Sequence, residues 1–149
     1  MRILFYDTKN YDKEFFEKLL PSYPGIEIKF IEANIHEETA ALAHGYDAIC
    51  AFVNADLGAP VIEELHRQGV KLILMRCAGY NNVDLETTDR CGIQVVRVPG
   101  YSPEAVAEHA MALALTANRH THKAYSKCRE NNFALKGLMG ENFYQMTAG

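Results

Sequence analysis

Five short apolar runs, each parted from the next by a helix-spaced stretch or a tight turn, constrain this chain more than any other feature. They lie at residues 3–6, 26–30, 48–53, 70–75 and 93–98. In the second run Ile26, Ile28 and Phe30 alternate with Glu27 and Lys29, the pattern of a strand at a sheet edge with one polar face. The third and fourth runs are largely apolar, as strands covered on both faces are. Between the runs, Tyr11, Phe15, Phe16, Leu19 and Leu20 keep near-helical spacing until Pro21, Pro24 and Gly25 interrupt it. Residues 36–45 are alanine-rich and end at Gly45, which predicts a second helix. Val61, Ile62 and Leu65 share one face of a helix over residues 60–68, stopped by Gly69. A short helix over residues 85–90 has Asp84 as its N-cap and is broken by Gly92. Strand and helix alternating through short connections imply a parallel sheet with right-handed crossovers and helices on both faces. Five such strands within the first 98 residues predict a flavodoxin-like α/β arrangement with strand order 2-1-3-4-5.

After the fifth run the pattern changes. Val98, Pro99, Gly100 and Tyr101 read as a strand exit and a turn, with Ser102 as N-cap, Pro103 at the first helical position and Glu104 complementing the helix dipole. The helix over residues 103–118 carries Val106, Met111, Leu113, Leu115 and six alanines, apolar almost all round after His109. Such a helix is buried on more than one side, so a second domain or subunit is implied. Residues 119–130 are polar and helical, Asn131 and Asn132 break the pattern, and no strong periodicity follows. The expected organisation is a domain over residues 1–100 and a helical extension over 101–149.

Composition removes several function classes. Fifteen Lys and Arg against 19 Asp and Glu give a net charge of −4, and no basic stripe suits nucleic acid or an anionic membrane. No run approaches the roughly 20 apolar residues a bilayer requires. The N-terminal apolar run is too short for a signal peptide, so the cytoplasm is the expected location. The four cysteines, Cys50, Cys77, Cys91 and Cys128, form no C-x-x-C pair and read as free thiols. His120 and His122 are two apart and do not share a helix face, so no metal is expected.

In open α/β sheets ligands bind beyond the carboxyl ends of the strands. Three segments leave strands there: Phe52, Val53 and Asn54; residues 76–84; and Pro99, Gly100, Tyr101 and Ser102. The small Ala78 and Gly79 let a ligand reach the backbone amides, and two or three such amides form a nest for a carboxylate. The plainer alternative is that Gly79 only permits a turn.

Two motifs are more specific. Arg76-Cys77-Ala78-Gly79-Tyr80-Asn81-Asn82-Val83-Asp84, followed by Val98-Pro99-Gly100-Tyr101-Ser102-Pro103-Glu104-Ala105-Val106-Ala107-Glu108-His109, resembles the D-isomer-specific 2-hydroxyacid dehydrogenases, the D-lactate dehydrogenases most closely. The resemblance covers essentially the whole chain. It implies a substrate domain followed by the first helices of an NAD-binding domain, and a dimer interface that uses the helix after Ser102. It implies substrate contacts from Phe52, Arg76, Cys77, Ala78, Gly79 and Tyr101, with Ser102 and Val106 beside the cofactor. For Arg76 the alternative is pairing with a buried acid. Glu108 and His109 are expected to hydrogen-bond between domains. No G-x-G-x-x-G occurs in the sequence, so the resemblance implies that the NAD cradle and the catalytic Arg, Glu and His lie outside it. The expected function is the substrate-binding part of an NAD-dependent enzyme reducing a small 2-oxo acid such as pyruvate, inactive as this chain alone and self-associating through residues 103–118. A stand-alone acid-binding or interaction module is the alternative. A receiver-like signalling domain is disfavoured, because Asp7 with Lys9 does not make its acid cluster.

Overall fold

The computed structural model describes residues 1–147. The last two positions of the expected helical extension, Ala148 and Gly149, lie outside the described residues. Contacts divide the chain into two units, Met1–Tyr101 and the part from Ser102 onward.

The first unit is built on a five-stranded parallel sheet: β1 (Arg2–Phe5), β2 (Glu27–Phe30), β3 (Ala48–Ala51), β4 (Leu72–Met75) and β5 (Gln94–Arg97). The spatial order is β2-β1-β3-β4-β5, as the alternation of elements predicts. β2 lies at one edge, with Glu27 and Lys29 exposed and Ile28 and Phe30 half-buried. All four residues of β3 are buried, because the strand is central and covered on both faces. Three α-helices flank the sheet: α1 (Asn10–Leu19), α2 (Ala59–Arg67) and α3 (Leu85–Cys91). Val61, Ile62 and Leu65 of α2 join Leu4, Ile49, Ile73 and Met75 in the larger core. Burying aliphatic side chains of this size contributes roughly 1.5–3 kcal/mol each. On the opposite face Ile3, Phe5, Ala48 and Cys50 form a smaller core, reached from α1 by Phe16, whose ring meets Phe5 edge-on at 5.1 Å.

Helix ends follow local chemistry in part. The Asp84 carboxylate accepts the Thr87 N–H at 2.9 Å, the expected N-cap of α3. Gly92 ends α3 at φ 65°, a left-handed conformation that costs glycine little. Two expectations are corrected. The alanine-rich stretch after His36 forms only a 3-10 turn, Ala40–Ala43, not a helix of residues 36–45. Thr39 accounts for this: its hydroxyl accepts the His36 N–H and donates to the Asn34 carbonyl, holding the chain in a local turn.

The second unit contains α4 (Pro103–Arg119) and α5 (Thr121–Arg129), separated by His120 at φ 51°. Ser102 does not cap α4 with its side chain. It sits in a left-handed conformation at φ 33°, and its carbonyl accepts the Ala105 N–H at 3.0 Å. No residue of α4 is buried. Asn118 exchanges two hydrogen bonds with the backbone of Glu141, at 2.7 and 2.9 Å. That contact brings the chain so close that a Cβ on Gly140 would lie 2.1 Å from the Asn118 carbonyl oxygen. Among the described residues no helix is long and apolar enough to cross a membrane.

All four cysteines are free, with Cys50 and Cys77 buried and Cys128 exposed. Burial in the sheet pushes the Cys50 thiol from its ordinary 9.0 up to about 12, against a smaller opposing pull from Arg76. A raised folded-state pKa contributes stability that is present below pH 9 and lost as the pH climbs toward 12. Denaturant midpoints measured from pH 8 to 11 are therefore expected to fall above pH 9, and the Cys50→Ala variant to show a shallower fall. Equal slopes for the two proteins would contradict this account of the buried thiol.

Candidate functional site

Because every strand is parallel, the carboxyl ends of β1, β3, β4 and β5 open on the same side of the sheet. Two of the loops there are bound to each other. The Asn82 side-chain amide donates to the Ala55 carbonyl at 2.9 Å and to the Phe52 carbonyl at 3.4 Å. Leu57 forms an isolated parallel bridge with Val83, and the Asp84 N–H donates to the Leu57 carbonyl at 2.9 Å. Residues 52–57 and 76–84 thus form one braced surface.

Within it the amides of Ala78 and Gly79 have fixed directions. A trans peptide is planar, so a carbonyl held from one side points its partner N–H to the other. The Cys77 carbonyl accepts the Val98 N–H at 3.2 Å, which sets the direction of the Ala78 N–H. The Ala78 carbonyl accepts from the Arg97 guanidinium at 3.0 Å, which sets the Gly79 N–H. The Gly79 carbonyl accepts from the Cys77 thiol at 3.2 Å. Among the described residues, neither the Ala78 nor the Gly79 N–H has a protein acceptor. A Cβ on Gly79 would meet nothing within 4 Å, and Gly79 is not among the glycines with positive φ. Neither packing nor backbone strain accounts for a glycine there. Two unpaired donors next to an unobstructed glycine are what a small anion needs.

Arg76 points elsewhere. Its guanidinium donates to the Asp7 carbonyl at 2.8 Å and lies 3.5 Å from the Asp12 carboxylate and 3.8 Å from that of Asp7. Its central carbon lies over the Phe52 ring at 4.4 Å and over the Phe5 ring at 5.0 Å. Nε is buried without a partner. Arg76 is therefore paired with acids, as the alternative reading has it, but Asp7 and Asp12 are half-buried and not buried. Cys77 is buried, and desolvation raises its thiol pKa while Arg76 opposes the shift. Phe52 is half-buried against the larger core. Tyr101 ends the first unit with 63% of its surface exposed, and its hydroxyl makes no hydrogen bond among the described residues.

The structure thus brings Phe52, Arg76, Cys77, Ala78 and Gly79 together. Ser102 and Val106 belong to the second unit, where Val106 is exposed on α4. Four contributors escaped the sequence reading: Asp7, Asp12, Asn82 as a brace, and Arg97. Asp7, ending the first apolar run, and Asn82, within the segment after the fourth, carried a positional signal; Asp12 and Arg97 carried none.

The second unit does not fit a dinucleotide's pyrophosphate. Such a cradle needs a glycine-rich turn between a strand and a helix, and the described residues of this unit contain no strand. The space beside Gly140 is filled by Asn118 rather than open to a phosphate. No group of three His, Cys, Asp or Glu side chains among the described residues suits a metal ion.

Comparison with known proteins identifies a family. The family described as D-isomer specific 2-hydroxyacid dehydrogenase, catalytic domain, matches residues 3–142. The chain is 48% identical over 149 residues to D-lactate dehydrogenase of Escherichia coli, covering all of this chain and 45% of that protein. It is 46% identical, with the same coverage, to a 2-hydroxyacid dehydrogenase homolog of Haemophilus influenzae. The apo-structure of the Escherichia coli D-lactate dehydrogenase superposes with a TM-score of 0.84 over 95% of this chain and 44% of that one. A structure described as the pyruvate reductase of Chlamydomonas reinhardtii, 44% identical, also gives 0.84, over 96% and 42%. The chain spans less than half the length of these relatives. On the match across most of its length, the chain belongs to the D-isomer specific 2-hydroxyacid dehydrogenase family.

Proposed function

We propose that this chain supplies the substrate-binding half of an NAD-dependent D-2-hydroxyacid dehydrogenase acting on a small 2-oxo acid of the pyruvate type. The observation that carries the reading is the pair of unpaired amides at Ala78 and Gly79, with nothing packed against the Gly79 α-carbon. They hold the substrate carboxylate as two charge-assisted hydrogen bonds without a charged side chain. Cys77 backs this nest from the core, and Phe52 gives the substrate side chain an apolar wall. Tyr101, whose hydroxyl is free, reaches the carboxylate from the segment after β5. Arg76 takes part from behind the wall, through Phe52. Names among the relatives, D-lactate dehydrogenase and pyruvate reductase, favour a three-carbon acid.

NAD supplies hydride chemistry in the whole enzyme. Ser102 and Val106 are the positions proposed to lie beside it, although the described residues do not form its pyrophosphate cradle. What this half contributes is orientation, which turns an encounter into a positioned reaction. Residues 1–100 act as the substrate domain, and residues 101–149 begin the region toward the cofactor. The free cysteines suit a reducing, cytoplasmic setting, and small-acid chemistry needs neither a nucleic-acid nor a membrane partner. The apolar Val106, Met111, Leu113 and Leu115, exposed on α4, suit a homo-oligomeric contact.

Thermal unfolding with D-lactate or pyruvate tests the acid site. Ligand at about 100 times its Kd is expected to stabilise the chain by about 2.7 kcal/mol. Gly79→Val is expected to unfold near the parent temperature yet lose the ligand-induced rise, since its side chain fills the open space. No rise in the parent, or an equal rise in the variant, contradicts the reading. The chain by itself is expected to leave NADH unoxidised in the presence of pyruvate, and turnover by a pure sample would sink the division of labour. Light scattering is expected to show a mass above that of one chain at high concentration, and a strict monomer would count against α4 as a contact.

A further inference from the structure

We infer that Arg76 is a positioning residue that sets side-chain preference by holding the Phe52 ring, and does not bind the substrate itself. The inference rests on the acid-binding reading of the Ala78 and Gly79 amides and adds what controls the wall beside them.

The guanidinium of Arg76 is already committed to other partners. One terminal nitrogen serves the Asp7 carbonyl at 2.8 Å and the Tyr6 carbonyl at 3.5 Å. The other faces the Asp12 carboxylate at 3.5 Å, and Nε is closed off from solvent. The side chain is only 14% exposed, and the acids beside it are 16% and 10% exposed. Asp12, and Asp7 shared with Lys9, balance the positive charges of the cluster, so a third anion gains little by approaching Arg76.

The same fixation makes the guanidinium a platform. A planar cation anchored to the exit of β1 by two backbone carbonyls, and to α1 by Asp12, lies 4.4 Å from the centre of the Phe52 ring. Phe5 flanks the guanidinium at 5.0 Å and is fully buried, so the platform cannot drift toward the core. Attraction between the cation and the ring face fixes the ring plane. From the other side Asn82 holds the Phe52 backbone carbonyl. The ring that bounds the space for the substrate side chain is therefore set by a residue that never meets substrate. Lysine cannot replace it, because an ammonium keeps the charge but has no plane to stack.

The test uses the 149-residue chain and three acids that differ only in side chain: glycolate, D-lactate and D-2-hydroxybutyrate. Arg76→Lys preserves a charge between Asp7 and Asp12, and its fold is checked by amide spectra. In Arg76→Lys the glycolate Kd is expected to stay within about twofold, while the preference among the three acids changes by roughly three- to tenfold. The Phe52 ring resonances are expected to move in the ligand-free protein. Asp12→Asn, which still accepts the Lys9 N–H, is expected to shift them in the same direction by less. Phe52→Leu combined with Arg76→Lys is expected to change the preference no more than Phe52→Leu alone, because the two act as one unit. An equal loss of affinity for all three acids would assign Arg76 to the carboxylate and overturn the inference. Unchanged preference with unchanged ring resonances would overturn it as well. A parent chain that binds none of the three acids overturns the acid-binding reading, and this inference with it.

Discussion

A largely covered guanidinium that must be neutralised organises the working end of this fold. Removing a positive charge from water is costly unless opposite charge and hydrogen bonds surround it, and Arg76 finds both. Its partners come from the exit of β1, in Asp7 and the Tyr6 and Asp7 carbonyls, and from the first turn of α1, in Asp12. Phe52 lies against it from the exit of β3, and Arg76 itself is the exit of β4. One side chain thus joins three strand ends and a helix. Removal of a partner would leave charge uncompensated, a penalty on the order of 3–5 kcal/mol in comparable buried pairs. Asp12 carries a second duty, accepting the Lys9 N–H at the start of α1, so the network and the helix start are not independent.

The amides depend on a different constraint, the planarity of the peptide bond. Neither the Ala78 nor the Gly79 N–H is held directly. Their directions follow from what holds the carbonyls on the opposite edges of the same peptide planes, Val98 on one side and Arg97 on the other. β5 therefore matters to the site although it lies at the sheet edge with most of its side chains exposed. The pairing of β4 with β5 is thus passed to the Ala78 donor through backbone alone and to the Gly79 donor through the Arg97 side chain, an advance ordering that suits the proposed anion site.

Much of the fold was legible because its signals are local. The edge position of β2 is written in the alternation of Glu27 and Lys29 with Ile28 and Phe30, and the Asp84 cap in one residue before a short helix. Local signals also misled. Alanines after His36 predicted a helix where Thr39 closes a 3-10 turn, and Ser102, a favoured capping residue type, turns left-handed and caps nothing with its side chain. In the candidate site, Ala78 and Gly79 stood out as small residues after a strand. That Arg76 could pair with an acid was legible, but its partners were not, since its hydrogen bond to the Asp7 carbonyl spans 69 positions in sequence. Pairing at that distance is a product of strand order. Arg97 escaped for the same reason: its role is to hold a backbone carbonyl across a strand pair, which no residue pattern announces.

The central claim is that two backbone amides at the end of β4 receive a small carboxylate. Amide chemical shifts recorded while D-lactate is titrated into the chain test it most directly. The account predicts saturable changes that are largest at Ala78 and Gly79, moving together with a single Kd. Saturable changes centred elsewhere, or none at these two amides at any D-lactate concentration, would contradict it.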